Sequence, residues 1–481
     1  MNRREIVGYA AASAAALTIK PSHVLGAPKA KAATGTYNVK DFGATGDGKT
    51  LDTQAINKTI EACSTAGGGT VQVSAGVYLT GTVHLKSNIN LQLDAGATLL
   101  GSKDLKDYDD IFNPERNVPT LNPAPGRPIR KEGFLWHAAV VVGQDLRKVA
   151  ITGRGTIDGN KVFNAIGEES ARGPHAIFFS KCEGILIQDI FVKDASNYAH
   201  LMEDCSNGNL RGVTVTGGWD GIDLFNCKDI IITDCHFMTG DDCVAGGGWE
   251  RLVVANCMLN TACSGVRNYG GGMKNVLFTN LVIAGPGLYE QILQHRHDLL
   301  AGFLITSGGV VDNLVISNVS VSNCHCPLWL GAQNPRAAMR NVSVSNLTAT
   351  GVGKPGNVAS IIQGTKDNPV ESISLSNIKI VSEGGGTKDL IDKPFPVTVR
   401  DPYMSVPCYG LFCRQIKDLE LHNVRFSYAE QEARPALICE SVERLELDGV
   451  RGQAGTENES SIVLRDIGTL RRYRDAEVSL K

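Results

Sequence analysis

Two short runs hold the residues best suited to chemistry. Trp219-Asp220-Gly221-Ile222-Asp223-Leu224 is followed by Thr239-Gly240-Asp241-Asp242-Cys243, and Asp220 and Asp241 stand 21 positions apart. In a chain wound into coils of about that length, these two would stack on adjacent turns, with Asp242 beside them. Three carboxyls in so small an area repel one another, so at least one should keep its proton at neutral pH. Cleavage of a glycosidic bond needs such a split: one acid protonates the leaving oxygen and one carboxylate activates water. Asp and Gly also favour plain turns, so the spacing, not any single aspartate, makes the case.

Other residues could meet a substrate. In Gln294-His295-Arg296-His297-Asp298, Arg296 could bind an anionic sugar through both guanidinium arms. His295 or His297 could hydrogen-bond or move a proton. The same cluster also reads as a polar turn facing solvent. Arg267, in Val266-Arg267-Asn268-Tyr269, is a second basic candidate. Trp219 offers an indole face to a sugar, or packs one coil on the next.

The elements that must position these residues are visible as a repeat. Aliphatic residues alternate with small polar ones in GILIQDIFV (184–192), LRGVTVTG (210–217), KDIIITDCHF (228–237), RLVVANCML (251–259), KNVLFTNLVI (274–283), DNLVISNVSV (312–321), RNVSVSNLTA (340–349), ESISLSNIKI (371–380), KDLELHNVRF (417–426) and ERLELDGVR (443–451). Alternation gives each unit an inward aliphatic face and an outward polar one. Asn280, Asn318, Asn346, Asn377 and Asn423 recur at the bend between paired short strands, where Asn tolerates the left-handed conformation and can bond the next coil. Two-residue hairpin signals are largely absent, against an antiparallel sandwich. The pattern predicts an all-β chain: a single right-handed parallel β-helix of about ten or more coils, spanning 33–481.

A cap precedes the repeat, at about 37–66. The loop Tyr37–Lys49 leads into an amphipathic helix beginning near Asp52 or Thr53, which should supply the helix cap. Before it, residues 1–32 read as an export signal. Arg3 and Arg4 precede an apolar stretch from Ile6 to Leu17 and a small-residue site at Ala30-Lys31-Ala32, as in a twin-arginine or ordinary secretory signal. The expected location is the periplasm or the exterior. A net charge of −3 gives no reason to expect nucleic acid, and no later run is long enough for a membrane span. The 13 cysteines show no zinc-site spacing, and buried thiols stacked in a solenoid account for them best.

Taken together, these motifs resemble glycoside hydrolase family 28, the polygalacturonases and rhamnogalacturonan hydrolases. Asp220-Gly-Ile-Asp223 resembles the family's Asn-Thr-Asp-Gly motif from its Asp onward, and Gly240-Asp241-Asp242 its Gly/Gln-Asp-Asp motif. Ile151–Gly159 and Ser196-Asn-Tyr-Ala-His200 are also similar, the latter making His200 a substrate-contact candidate. The N-terminal cap resembles that of pectinase-type β-helices, and similarity extends over roughly 37 to 320. The resemblance implies hydrolysis with inversion and without a metal or other cofactor, with Asp241 as acid and Asp220 and Asp242 as bases. The departures are specific. Gly218-Trp219 replaces the family's Asn-Thr. Cys263, in Ala262-Cys-Ser-Gly265, stands where its Gly-His-Gly histidine belongs. No Arg-x-Lys occurs between Leu293 and Thr306.

The expectation is therefore a monomeric glycosidase acting on a polysaccharide other than plain polygalacturonan, pectin-like or another acidic plant or marine glycan. Two alternatives are a calcium-dependent lyase, with aspartates holding the ion and Arg267 or Arg296 as base, and a non-catalytic glycan-binding β-helix.

Overall fold

Alternation along each strand puts every second side chain inside, and coil-on-coil pairing lines those side chains up. In this computed structural model one interior row runs Val71, Leu91, Ile151, Ile187, Leu210, Ile232 and Val254, each paired in register with the next. It continues through Phe278, Ile316, Val344, Leu375, Leu421 and Leu447. All of these are buried, and each contributes about 1.5–3 kcal/mol of apolar transfer on folding. The result is a right-handed parallel β-helix. The structure describes residues 35–109, 136–306, 308–332, 337–353, 358–393, 395–396, 404–456, 460–474 and 478–480. The expected export signal lies outside them.

The corner asparagines form one continuous ladder. Asn280 donates its amide to Asn256 (3.0 Å), Asn318 to Asn280 (3.1 Å), Asn346 to Asn318 (2.9 Å), Asn377 to Asn346 (3.0 Å) and Asn423 to Asn377 (2.8 Å). Each sits at φ between 50° and 56°, the left-handed well that Asn enters at least cost. All 13 cysteines are buried and free. Cys182, Cys205 and Cys227 stack on successive coils, as do Cys235 and Cys257.

The cap helix spans Thr53–Thr65 and buries Ile56, Thr59, Ile60 and Cys63. Asp52 occupies the N-cap position, yet its carboxylate makes no cap bond to the helix. It accepts instead from the Thr45 amide (2.8 Å), the Thr45 hydroxyl (2.9 Å) and the Gly46 amide (3.0 Å). Three donors of the preceding loop outcompete the helix amides for one carboxylate. Thr53 turns to the next coil, where its hydroxyl accepts from the Gly81 amide at 2.8 Å.

Two loops interrupt the coils beside the aspartates. Each is closed by an isolated antiparallel bridge, Phe163–Arg172 in one and Gln291–Arg296 in the other. Each therefore delivers an arginine at its base.

Candidate active site

Asp220 lies in the turn before the strand Ile222–Phe225, and Asp241 and Asp242 lie between the strands His236–Thr239 and Val244–Ala255. Backbone bonds stack these turns: Gly221 N–H to the Asp242 carbonyl (2.9 Å), Asp241 N–H to the Trp219 carbonyl (3.0 Å) and Cys243 N–H to the Ser264 carbonyl (3.0 Å). The approach demands glycine at the turns. A Cβ on Gly221 would lie 2.4 Å from the Cys243 carbonyl, and one on Gly240 would lie 2.5 Å from that of Glu290.

The three aspartates are thus brought together, all buried, Asp241 the most accessible at 8%. Between two of them stands Arg172, which no motif or spacing singles out. Its Nη1 donates to Asp220 Oδ2 at 2.8 Å and its Nη2 to Asp241 Oδ2 at 2.9 Å. Asp242 accepts from the Ser264 amide (3.0 Å) and from Arg267 Nη1 (3.2 Å). A fourth carboxyl, Asp223, is fully buried on the same sheet. The Tyr269 hydroxyl donates to its Oδ1, and its Oδ2 has no hydrogen-bond partner among the described residues. Asp223 was within reach of sequence reasoning, since it shares the Asp220 motif. Arg172 was not, because it sits two coils upstream in a loop without pattern.

Burial dominates the electrostatics. It pushes the Asp220 carboxyl well above the usual range, reinforced by Asp241 and Asp223 and opposed by Arg172. Asp223 is pushed well up in the same way, against the Tyr269 hydroxyl. Asp242 is raised by burial and eased by Arg267. Burial, then Asp242 and Asp241, lifts the Cys263 thiol well above its ordinary value, so it is neutral at physiological pH. Carboxyls raised in this way hold protons more readily than free ones, a property that acid/base sites use.

The remaining candidates divide. Arg267 and Arg296 reach the site, Arg267 at Asp242 and Arg296 with Nη2 3.7 Å from Cys263 Sγ. His295 points away and pairs with Glu290 at 2.8 Å, and His297 Nδ1 lies 2.9 Å from the Gly287 carbonyl within its own loop. His200 is fully buried beneath the Asp220 turn, Nδ1 3.0 Å from the Gly221 carbonyl. Burial pulls its imidazole down to about 4, against that carbonyl. It is placed to support the turn and has no surface to offer a sugar. The Trp219 indole is 4% exposed and carries the Arg172 guanidinium 4.0 Å from its ring centre, so its face is taken by a cation.

Asp241, Asp242 and Cys263 bring ligand atoms within 4.8 Å of one another. They do not suit a calcium ion, which needs six to eight oxygens. One of the three is a neutral thiol, and Arg172, Arg267 and Arg296 already bring positive charge against the group.

Residues 36–274 match the family model of rhamnogalacturonase A/epimerase, pectate lyase-like. A protein of Vitis vinifera named probable polygalacturonase is 23% identical over 388 residues, 71% of this chain and 73% of that protein. The exo-poly-alpha-D-galacturonosidase of Dickeya chrysanthemi is 28% identical over 311 residues, 60% of this chain and half of that enzyme. The exopolygalacturonase of Thermotoga maritima superposes with a TM-score of 0.59 over 82% of this chain and 91% of its own, at 21% identity, a likeness of fold. Over residues 36–274 the chain is thus similar to the rhamnogalacturonase A/epimerase, pectate lyase-like family, and polygalacturonases are among its relatives.

Proposed function

We propose that this chain is an exported glycoside hydrolase that cleaves an acidic, pectin-like polysaccharide with inversion, using Asp220, Asp241 and Asp242. The observation that carries this reading is the buried carboxyl cluster built by two stacked turns, flanked by Arg267 and Arg296. Asp241, the most accessible, donates the proton to the glycosidic oxygen, while Asp220 and Asp242 are the bases that hold the attacking water, and whichever of the two is ionised takes its one proton. Arg267, with 39% of its side chain exposed, and Arg296 present positive charge to a sugar carboxylate. Cys263 gives the site a thiol where a histidine would hydrogen-bond substrate, which favours a glycan other than plain polygalacturonan.

The test is a panel of polygalacturonate, rhamnogalacturonan, xylogalacturonan and marine uronans, read by reducing-end release, with the product anomer followed by NMR. Release of the inverted anomer from one of them is expected. An unsaturated, ultraviolet-absorbing product that disappears with EDTA would establish the lyase instead. Binding without product, unchanged in Asp241→Asn, would establish a glycan-binding β-helix.

A further inference from the structure

We propose that Arg172 is the positioning residue of this site, a guanidinium bridge that fixes Asp220 against Asp241 and sets how many of the clustered carboxyls carry charge. The inference rests on the hydrolytic reading above for its kinetic consequences, though not for its electrostatic ones.

The geometry is that of a built element. Arg172 is buried, its two terminal nitrogens divided between two aspartates that come from different coils. The planar fork fixes the distance and angle between its two acceptors in a way that a single ammonium cannot. The fork is itself fixed from behind. Glu169 Oε2 lies 3.0 Å from Nη2 and accepts from Nε at 3.1 Å, and Glu168 Oε2 lies 3.9 Å from Nε. Trp219 supports one face at 4.0 Å and Tyr198 lies 5.5 Å away. Glu169 and Ser170 hold φ of 52° and 60°, a left-handed pair that non-glycine residues adopt at a cost. The loop bears that strain where it turns Glu168 and Glu169 onto Arg172.

The charge balance shows what the bridge does. Asp220, Asp241, Glu168 and Glu169 gather around Arg172, Asp242 meets Arg267, and Asp223 stands near enough to feel the charge of Arg172. Buried charges persist only when paired, and burial raises the carboxyls of Glu168, Asp220, Asp223 and Asp242. Burial works against the charge of Arg172, yet Glu168, Asp220 and Asp241 together outweigh it and hold the guanidinium firmly charged. Removing it would leave Asp220 with burial, Asp241 and Asp223 all favouring its neutral form. Loss of an adjacent arginine moves an aspartate by about one to three pH units.

The experiment compares wild type, Arg172→Lys and Arg172→Met, with folding checked by circular dichroism. Two readouts are taken: the pH profile of kcat and KM on the cleaved glycan, and the pH titration of Trp219 fluorescence against a Trp219→Phe reference. In Arg172→Met the acidic limb of kcat should move up by about one to two pH units, with kcat at pH 5 falling about 10- to 100-fold and KM within about threefold. The Trp219 inflection should move the same way. Arg172→Lys, which keeps charge and loses the fork, should keep the wild-type limb while losing kcat. A folded Arg172→Met with wild-type limb and inflection overturns the proposal. If Arg172→Met does not fold, Arg172→Lys decides: wild-type kcat overturns it. If wild type cleaves no glycan, the hydrolytic reading has failed, and the Trp219 titration still decides the role of Arg172 by itself.

Discussion

Replacing Asp242 by Asn should separate catalysis from folding. The substitution keeps the oxygen that accepts the Ser264 amide, and replaces the charged oxygen that accepts from Arg267 by an amide NH2. Asp241 and Asp242 bring oxygens within 4.8 Å of one another. At an effective dielectric of about 20, unit charges at that distance repel by about 3.5 kcal/mol. The pair to Arg267, closer at 3.2 Å, would be worth about 5 kcal/mol on the same scale. The Arg267 side chain is 39% exposed, and water screens such a pair to a fraction of that figure. Relief of repulsion and loss of the Arg267 pair oppose each other, the first reduced by any proton the two carboxyls hold and the second by water, so the variant should unfold within about 2 kcal/mol of wild type, a shift of a few degrees in Tm. Turnover should fall by about 10²–10⁴, the usual worth of a positioned acid or base, or about 3–5.5 kcal/mol of barrier. Reducing-end release on the cleaved glycan and a thermal melt at one pH measure both. Turnover within threefold of wild type, in a protein that melts normally, would remove Asp242 from the mechanism. A collapse of Tm with turnover preserved in the surviving folded fraction would make it a structural residue.

Three further outcomes follow from the same geometry. Asn346 combines φ of 53° with amide bonds to Asn318 and from Asn377. Asn346→Ala should cost about 2–5 kcal/mol in urea unfolding, from left-handed strain and two lost bonds. Asn346→Gly should cost less, because glycine carries no left-handed penalty, and a glycine variant at least as unstable as the alanine would refute the ladder argument. Asp223 has a carboxyl raised in the folded state, first by burial. Its stabilising effect is full below the unfolded value near 3.9 and is lost as pH rises through the folded value. Asp223→Asn should therefore flatten the fall in Tm between pH 4 and 7.5, and a slope equal to wild type counts against it. Finally, all 13 cysteines are buried and free. Thiol titration of the native protein should find fewer than one reactive group, and all 13 once it is unfolded; rapid labelling of several thiols in the folded state would contradict the stacked core.

Local rules determined the scaffold. Period-two alternation sorts side chains between core and solvent whatever the partner strand, so the interior row from Ile187 to Leu447 could be read from its segments alone. The ladder asparagines announced the corners, because the left-handed well selects them residue by residue. The one-coil spacing of Asp220 and Asp241 likewise grouped the acids before any coordinate. Side-chain direction and loop closure lay beyond that logic. Whether His200 faces solvent or core turns on a single position of strand phase, and the coil interior claims it. The indole of Trp219 is occupied by an arginine 47 positions earlier in the chain. Arg172 reaches Asp220 and Asp241 only because the bridge from Phe163 closes its loop and the coils stack. Electrostatic partners are set by distance in space, where a charge two coils away can stand 2.8 Å from an aspartate. The sequence therefore determined where the carboxyls gather, and the tertiary structure alone decided which cations share them.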